Sequence, residues 1–340
     1  MSPTIRVAVL GAAGETGSSI VNGLVEHGNF SIAALLRPQS ISKPANQALK
    51  SRGIDIIPTD LSGPKEDLVR ALKGTDVVIS AISAMELQSQ MPLADAALEA
   101  GVKRFVPCAF MPIVPAGGVM MLRDAKEEVY NHIKVIKVPY TIIDVGWWYQ
   151  LTIPRVPSGK TDYFSGSQDL FNILVGDGET HGALTDLLDI GRYVAAIIAD
   201  DRTLNKYVFA HNEIFTPNQV YEMVQRLSGE TLTREYIPAE TLYKQLNELN
   251  KALEKDPTDL VAMVDKVGVQ YKISWGARAD NTPQNAKYLG YLDAKELYPE
   301  FKFRSLEDYT VGLLEGKSKP VYSDNKDMQA VMKARLARSG

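Results

Sequence analysis

The chain has 340 residues, 45% of them apolar and 23% charged, with a formal net charge of -4 and a single cysteine, Cys108. That length fits one large nucleotide-type domain with a smaller partner, and the near-neutral balance without a long Lys/Arg block argues against a nucleic-acid surface. One cysteine and four histidines exclude a disulfide framework and leave little for a structural zinc site; no apolar run reaches membrane-spanning length, so a soluble, cytoplasmic protein without membrane or metal is expected.

Residues 5–17 read Ile-Arg-Val-Ala-Val-Leu-Gly-Ala-Ala-Gly-Glu-Thr-Gly, and helical periodicity follows at Ile20, Val21, Leu24 and Val25. Strand, glycine turn and helix start are thus predicted together. Such a turn aims backbone amides and the positive helix end at one point, which suits a pyrophosphate. Gly11 permits the turn, Gly14 keeps side chains away from the phosphates and Gly17 lets helix and strand approach; Ala13, Glu15 and Thr16 supply the rest of the cradle. A glycine-rich turn with no ligand is the alternative. A second strand at 31–36 ends in Arg37, twenty residues after Gly17, where a dinucleotide fold keeps its ribose selector. A guanidinium there, with no carboxylate beside it, favours the 2'-phosphate of NADP over the 2'-hydroxyl of NAD. A solvated strand-end arginine is the plainer explanation.

Lys43, in the following polar loop, adds a charge at the same edge or is simply a surface lysine. A helix at 46–52, a third strand at 54–58 and Asp60, within reach of adenine, come next. A helix around Leu68 to Leu72 leads to a buried fourth strand at 77–79, whose small residues Ala81 and Ser83 let a dinucleotide cross the sheet edge. A helix at 88–100, a fifth strand at 104–107, a helix at 122–135 and a sixth strand at 140–145 complete the alternation. The pattern requires a Rossmann-type, doubly wound parallel sheet with helices on both faces.

On the 122–135 helix, Lys126, Val129, Tyr130 and Ile133 share one face. A lysine in an apolar stripe either snorkels to water or brings an ammonium to the nicotinamide end, to bond ribose hydroxyls or donate a proton. Tyr130 and Lys134 form a rival Tyr-x-x-x-Lys pair, the runner-up for catalysis, although Lys134 stands only six residues before Tyr140.

Taken together, Gly11 to Gly17, Leu-Leu-Arg ending at Arg37, Asp76-Val-Val-Ile-Ser-Ala, Lys103-Arg-Phe-Val-Pro, Pro139-Tyr-Thr-Ile-Ile, and Gly176-Asp-Gly followed by Asp189-Ile-Gly-Arg-Tyr resemble the isoflavone reductase-like, or NmrA-like, atypical short-chain reductases, over roughly residues 4–200. That resemblance implies NADP(H), secondary metabolism, contacts from Arg37 and Lys43 to the 2'-phosphate, and a catalytic or ribose-binding lysine thirteen residues before Pro139, which is Lys126. Where the family reads Phe-x-Pro-Ser-Glu-Phe-Gly, this chain has Phe105-Val-Pro-Cys-Ala-Phe-Met. Cys108, beside the expected cofactor, is read as a buried small hydrophobe rather than a reactive thiol.

In the second half, Trp147, Trp148 and Tyr149 follow the sixth strand at the expected nicotinamide mouth, placed to stack on an aromatic substrate, with core packing or a dimer surface as alternatives. Residues 154–182 look like a flap that His181 helps line. Helices are expected at 189–200, from Thr216-Pro217 to Leu227, and around 239–253, 257–267 and 305–315. The expected division is a nucleotide domain over 1–150, rejoined by 183–212, a mostly helical substrate subdomain over 151–182 and 213–320, and a tail over 321–340. The expected function is NADPH-dependent reduction of a small aromatic or polyketide-like ketone, enone or quinone, with a small molecule as partner and a second copy of the chain as a further candidate. A non-catalytic NmrA-like sensor of NAD(P) is the alternative.

Overall fold

In the computed structural model the described residues are 4–162 and 173–323, with positions 330, 333 and 334. The N-terminal half alternates β1 (Ile5–Leu10), α1 (Glu15–His27), β2 (Phe30–Leu36), α2 (Pro44–Ser51), β3 (Asp55–Pro58), α3 (Lys65–Leu72), β4 (Val77–Ser80), α4 (Met91–Glu99), β5 (Arg104–Val106), α5 (Met121–Ile136) and β6 (Thr141–Asp144). The first five strands pair in parallel in the order β3-β2-β1-β4-β5. A parallel bridge between Phe105 and Tyr140 carries the sheet on to β6, which pairs with β10 (Lys206–Phe209) and through it with β13 (Leu292–Asp293).

Alternation along β1 decides the layers, because successive side chains leave a strand on opposite faces. Val7 and Val9 enter one core with Ile20, Val21 and Leu24 of α1 and with Ile190 and Val194 of α6 (Leu187–Ile198). Ala8 and Leu10 enter the other with Leu68 of α3, Leu93 of α4 and Val129, Tyr130 and Ile133 of α5. Both faces are covered, and the fold is a Rossmann-type doubly wound α/β sheet. Strand order reverses between β1 and β4, which leaves a crevice at their carboxyl ends.

Backbones touch where α1 crosses its neighbours. A Cβ on Gly17 would lie 2.0 Å from the Gly11 carbonyl oxygen, and one on Gly191 would lie 1.8 Å from that of Ser19. Ser19 Oγ fastens the crossing, donating to the Leu187 carbonyl at 2.5 Å and accepting from the Gly191 amide at 2.9 Å. α6 is thereby locked onto α1 from across 170 residues of sequence.

The second half adds β7 (Trp147–Trp148), β8 (Ile173–Val175), β9 (Gly182–Thr185), β11 (Glu213–Phe215), α7 (Pro217–Ser228), β12 (Glu235–Ile237), α8 (Ala239–Lys255), α9 (Leu260–Lys272), α10 (Pro283–Tyr288), α11 (Ala294–Leu297) and α12 (Leu306–Leu314). Thr216 caps α7 through a full capping box with Gln219, as Thr-Pro at that point led one to expect. The helix predicted from residue 88 instead begins at Met91, after 3-10 turns over Ala84–Gln90. Pro92 explains this, since a residue without N–H belongs in the first turn of a helix. Part of the expected flap is ordered by β8 pairing in parallel with β12, while 163–172 lie outside the described residues. The expected tail begins too early: Val321 is packed into the core with Trp148 and Ile190. Among the described residues no helix is long and apolar enough to cross a membrane.

Because nothing at the Gly191 contact can yield except backbone, Gly191→Ala is expected to lower the unfolding free energy by about 3 kcal/mol. Gly182→Ala, whose Cβ would meet nothing closer than 3.9 Å, should change it by about 0.5 kcal/mol or less. Urea unfolding of the two variants checks the contrast.

Candidate active site

The glycine turn stands at the β1–β4 crevice. Gly11 has φ +78°, and a Cβ there would come within 2.3 Å of the Ala81 carbonyl oxygen, so the loop after β1 lies directly on the loop after β4. The Gly14 amide turns back to the Gly11 carbonyl at 2.9 Å, and Gly14 itself serves as the side-chain-free cap of α1. Helix geometry leaves the Glu15 and Thr16 amides without an intrahelical acceptor, and no described residue supplies one. Open amides at a positive helix end, with no side chain at position 14 in front of them, fit a pyrophosphate.

Arg37 ends β2 on the same edge. Its side chain is 59% exposed and its only ion pair among the described residues is a loose one to Glu86, 3.6 Å away. Its guanidinium can therefore turn to an incoming phosphate at little cost. Lys43 is exposed at the cap of α2, and Asp60 is exposed with its carboxylate accepting from the amide and hydroxyl of Ser62. Ser83 caps the 3-10 turns after β4, its hydroxyl accepting from the Met85 amide.

Lys126 is 4% exposed and does not snorkel. Its Nζ donates to the carbonyls of Cys108 at 2.7 Å and Ala109 at 2.9 Å, with the Cys108 sulfur at 3.8 Å. Two of the three ammonium hydrogens are committed, and the third meets only sulfur, a weak acceptor. Cys108 is buried, its amide donating to Gln90 Oε1 and its thiol to the Ile82 carbonyl. The residues that replace the family's Ser-Glu pair thus use their carbonyls to seat the lysine.

The Tyr130–Lys134 pair does not form. Tyr130 is fully buried in the α3–α4–α5 core, its hydroxyl without a partner among the described residues, and Lys134 is exposed over the Tyr207 ring. Burial, reinforced by Asp144, pushes the Tyr130 phenol well above its usual range, the opposite of what a catalytic tyrosine needs.

One turn before Lys126, the same helix carries Arg123, a residue that helix-face reasoning passed over. Its guanidinium bonds Asp144 at 2.9 Å, the Tyr291 hydroxyl at 3.0 Å and Glu127 at 2.6 Å, and Tyr291 also donates to Asp144 at 2.6 Å. Burial opposes the Arg123 charge more than any single neighbour supports it, but the combined attraction of Asp144, Tyr291, Tyr130 and Glu127 outweighs burial and holds the guanidinium protonated. This network ties the start of α5 to the end of β6 and the turn before β13. A charged residue closing the apolar run Thr-Ile-Ile-Asp was the available sequence signal.

The aromatic triplet divides. Trp147 packs on Tyr271 and Trp275 at 4.9 and 5.4 Å, whereas Trp148, on the other face, stacks against Tyr322 at 6.1 Å. Tyr149 is sealed in a third core, with Leu184 and Val220 and against Tyr309, and its hydroxyl donates to Glu213 at 2.7 Å. A chiefly apolar pocket lies behind Trp147, lined by Thr152, Leu184, Phe215, Tyr221, Trp275 and Asn281. His181 is exposed and absent from that lining, though its neighbours Thr180 and Gly182 contribute to it, because the strand entering β9 turns it outward.

Comparison with known proteins agrees with this architecture. The NmrA-like family model matches residues 3–310. Asnovolin J 5',6'-dehydrogenase from Aspergillus novofumigatus (strain IBT 16806) is 46% identical over 320 residues, which cover 93% of this chain and 97% of that protein. An isoflavone reductase-like protein from Olea europaea is 28% identical, with 91% of this chain and 98% of that one covered. Among solved structures, the leucoanthocyanidin reductase–NADPH complex from Vitis vinifera superposes with a TM-score of 0.74 at 20% identity, covering 91% and 99% of the two chains. The corresponding figures for isoflavone reductase are 0.70, 22%, 90% and 98%.

Removing Asp144 would leave Arg123 buried with half its compensation gone. Asp144→Ala is expected to cost about 3 kcal/mol of stability by chemical denaturation; a loss below about 1 kcal/mol would show that Glu127 alone suffices.

Proposed function

The chain belongs to the NmrA-like family, and we propose that it is an NADP(H)-dependent oxidoreductase acting on a small, apolar, carbonyl-conjugated substrate. The observation that carries this reading is Lys126, buried and seated on two carbonyls with its third ammonium hydrogen held only by a sulfur, beside a glycine cradle that fits a pyrophosphate. Bound NADP(H) supplies or accepts the hydride. The Glu15 and Thr16 amides hold the pyrophosphate, and Arg37 leaves its loose pair with Glu86 to bind the 2'-phosphate, with Lys43 adding charge at that edge. Ala13, Ala81 and Ser83 border the cofactor's path along the sheet edge.

Lys126 directs its remaining N–H at a ribose hydroxyl or at the oxygen on which charge develops, and so steadies the oxyanion or delivers the proton. Its two carbonyl anchors fix that direction without a carboxylate that would neutralise it. Trp147 bounds the substrate space, and the apolar pocket behind it takes the body of the molecule. Residues 1–150 with 183–212 form the nucleotide-binding part, and 151–182 with 213–320 the substrate-binding part. The name of the 46% identical relative refers to a 5',6' bond, which supports a bond between neighbouring carbons as the reacting one and a role in secondary metabolism.

Two variants test the assignment. Arg37→Ala should weaken NADPH binding by about 1.5 to 3 kcal/mol while leaving NADH nearly unchanged; equal losses for both would remove its selector role. Lys126→Ala should lower turnover roughly 100-fold or more, with Tyr130→Phe near the parent rate; the reverse order would return the chemistry to the tyrosine.

A further inference from the structure

The C-terminal segment beyond α12 comes back across the catalytic edge. After Gly316 turns the chain, Val321 is buried at 2% exposure in the core that α1 and α6 share. Tyr322 follows with φ +61°, a left-handed conformation that a tyrosine adopts only when its surroundings demand it. The demand comes from two fastenings. Its amide donates to Glu15 Oε1 at 2.7 Å, across 307 positions, and its ring stacks on Trp148 at 25° between planes. Glu15 opens α1 at the phosphate cradle, and Trp148 follows the carboxyl end of β6, so the segment links the two across the sheet edge.

Burial raises the pKa of the Tyr322 phenol, and Glu15 and Cys108 add to that rise, while Tyr322 in turn acts on Tyr271. The side chain thus stands near the cradle, through Glu15, and feels the charge of Cys108, the residue whose carbonyl seats Lys126. It makes no hydrogen bond to any described residue, and so keeps a donor for whatever enters. Neither fastening belongs to the sheet: one is a single charge-assisted hydrogen bond, the other a ring pair. Both can open without unfolding an element.

We propose that Tyr322, anchored by the buried Val321 before it, is a strap closing the nicotinamide end of the cleft and the wall against which substrate is held, a role that rests on the oxidoreductase reading. Closed, the ring excludes water from the Lys126 side of the site and offers substrate a flat apolar face with one hydroxyl. Lifted, it lets cofactor pass.

Stopped-flow release of NADPH, followed by nicotinamide fluorescence on the full chain, tests the strap. Tyr322→Ala should release NADPH roughly two- to tenfold faster, the rate equivalent of losing one aromatic pair, and should raise the substrate KM. Tyr322→Leu, which keeps apolar bulk and guards against a folding defect, should accelerate release as well. Tyr288→Ala, at a tyrosine 85% exposed on α10, should release at the parent rate. Parent-like release from both Tyr322 variants, with melting temperatures unchanged, overturns the strap alone. Failure of the parent chain to bind NADPH overturns the oxidoreductase reading and the strap with it.

Discussion

Everything at the catalytic edge depends on how closely α1 can approach its surroundings. Gly17 sits on the carbonyl of Gly11, and Gly191 sits on that of Ser19, at separations where an added methyl group has no room. These contacts place the first turn of α1, with its open amides, at the point where strand order reverses. A helix held even an ångström further out would aim those amides past the crevice. An anion bound here, as we propose, would meet donors that need not reorganise, because rigid backbone contacts on both sides of α1 have already fixed them.

Helix α5 then brings two cations into the interior and treats them differently. Arg123 is matched by carboxylates and the Tyr291 hydroxyl, which makes it a brace between α5, β6 and the turn before β13. Lys126, one turn on, receives only neutral carbonyls and a sulfur. A carboxylate partner would neutralise an ammonium; carbonyls orient it and leave its charge to act. The sequence departure at Cys108 and Ala109 is compatible with this, since the backbone provides the seat and almost any small side chain can accompany it.

Much of this was legible in the sequence, and the exceptions have physical causes. Glycine spacing and strand–helix alternation are local signals, and they placed the glycine turn before α1, Arg37 after a strand end and the parallel sheet. Lys126 emerged because a helix has a face. The Trp-Trp-Tyr run misled: neighbouring residues in a strand point to opposite sides, which sends Trp148 away from Trp147, and Tyr149, on the side of Trp147, is sealed in the core against Tyr309. The Tyr-x-x-x-Lys spacing likewise says nothing about which end of a helix reaches water. Tyr322 was invisible for another reason. Its contacts lie hundreds of residues away, and no composition or period in a polar tail announces that one tyrosine returns to the cleft.

The central claim is that the crevice holds a 2'-phosphorylated dinucleotide and that Lys126 works beside its nicotinamide. Titrating the purified chain with NADPH and NADH by nicotinamide fluorescence tests it most directly, with NADPH oxidation then followed against quinones, aryl ketones and conjugated enones. Saturable binding with NADPH at least roughly tenfold tighter than NADH, the yield of one charge-assisted contact, together with turnover on one of these substrate classes, is the predicted result. Equal affinity for the two nucleotides, or no binding of either, would contradict it.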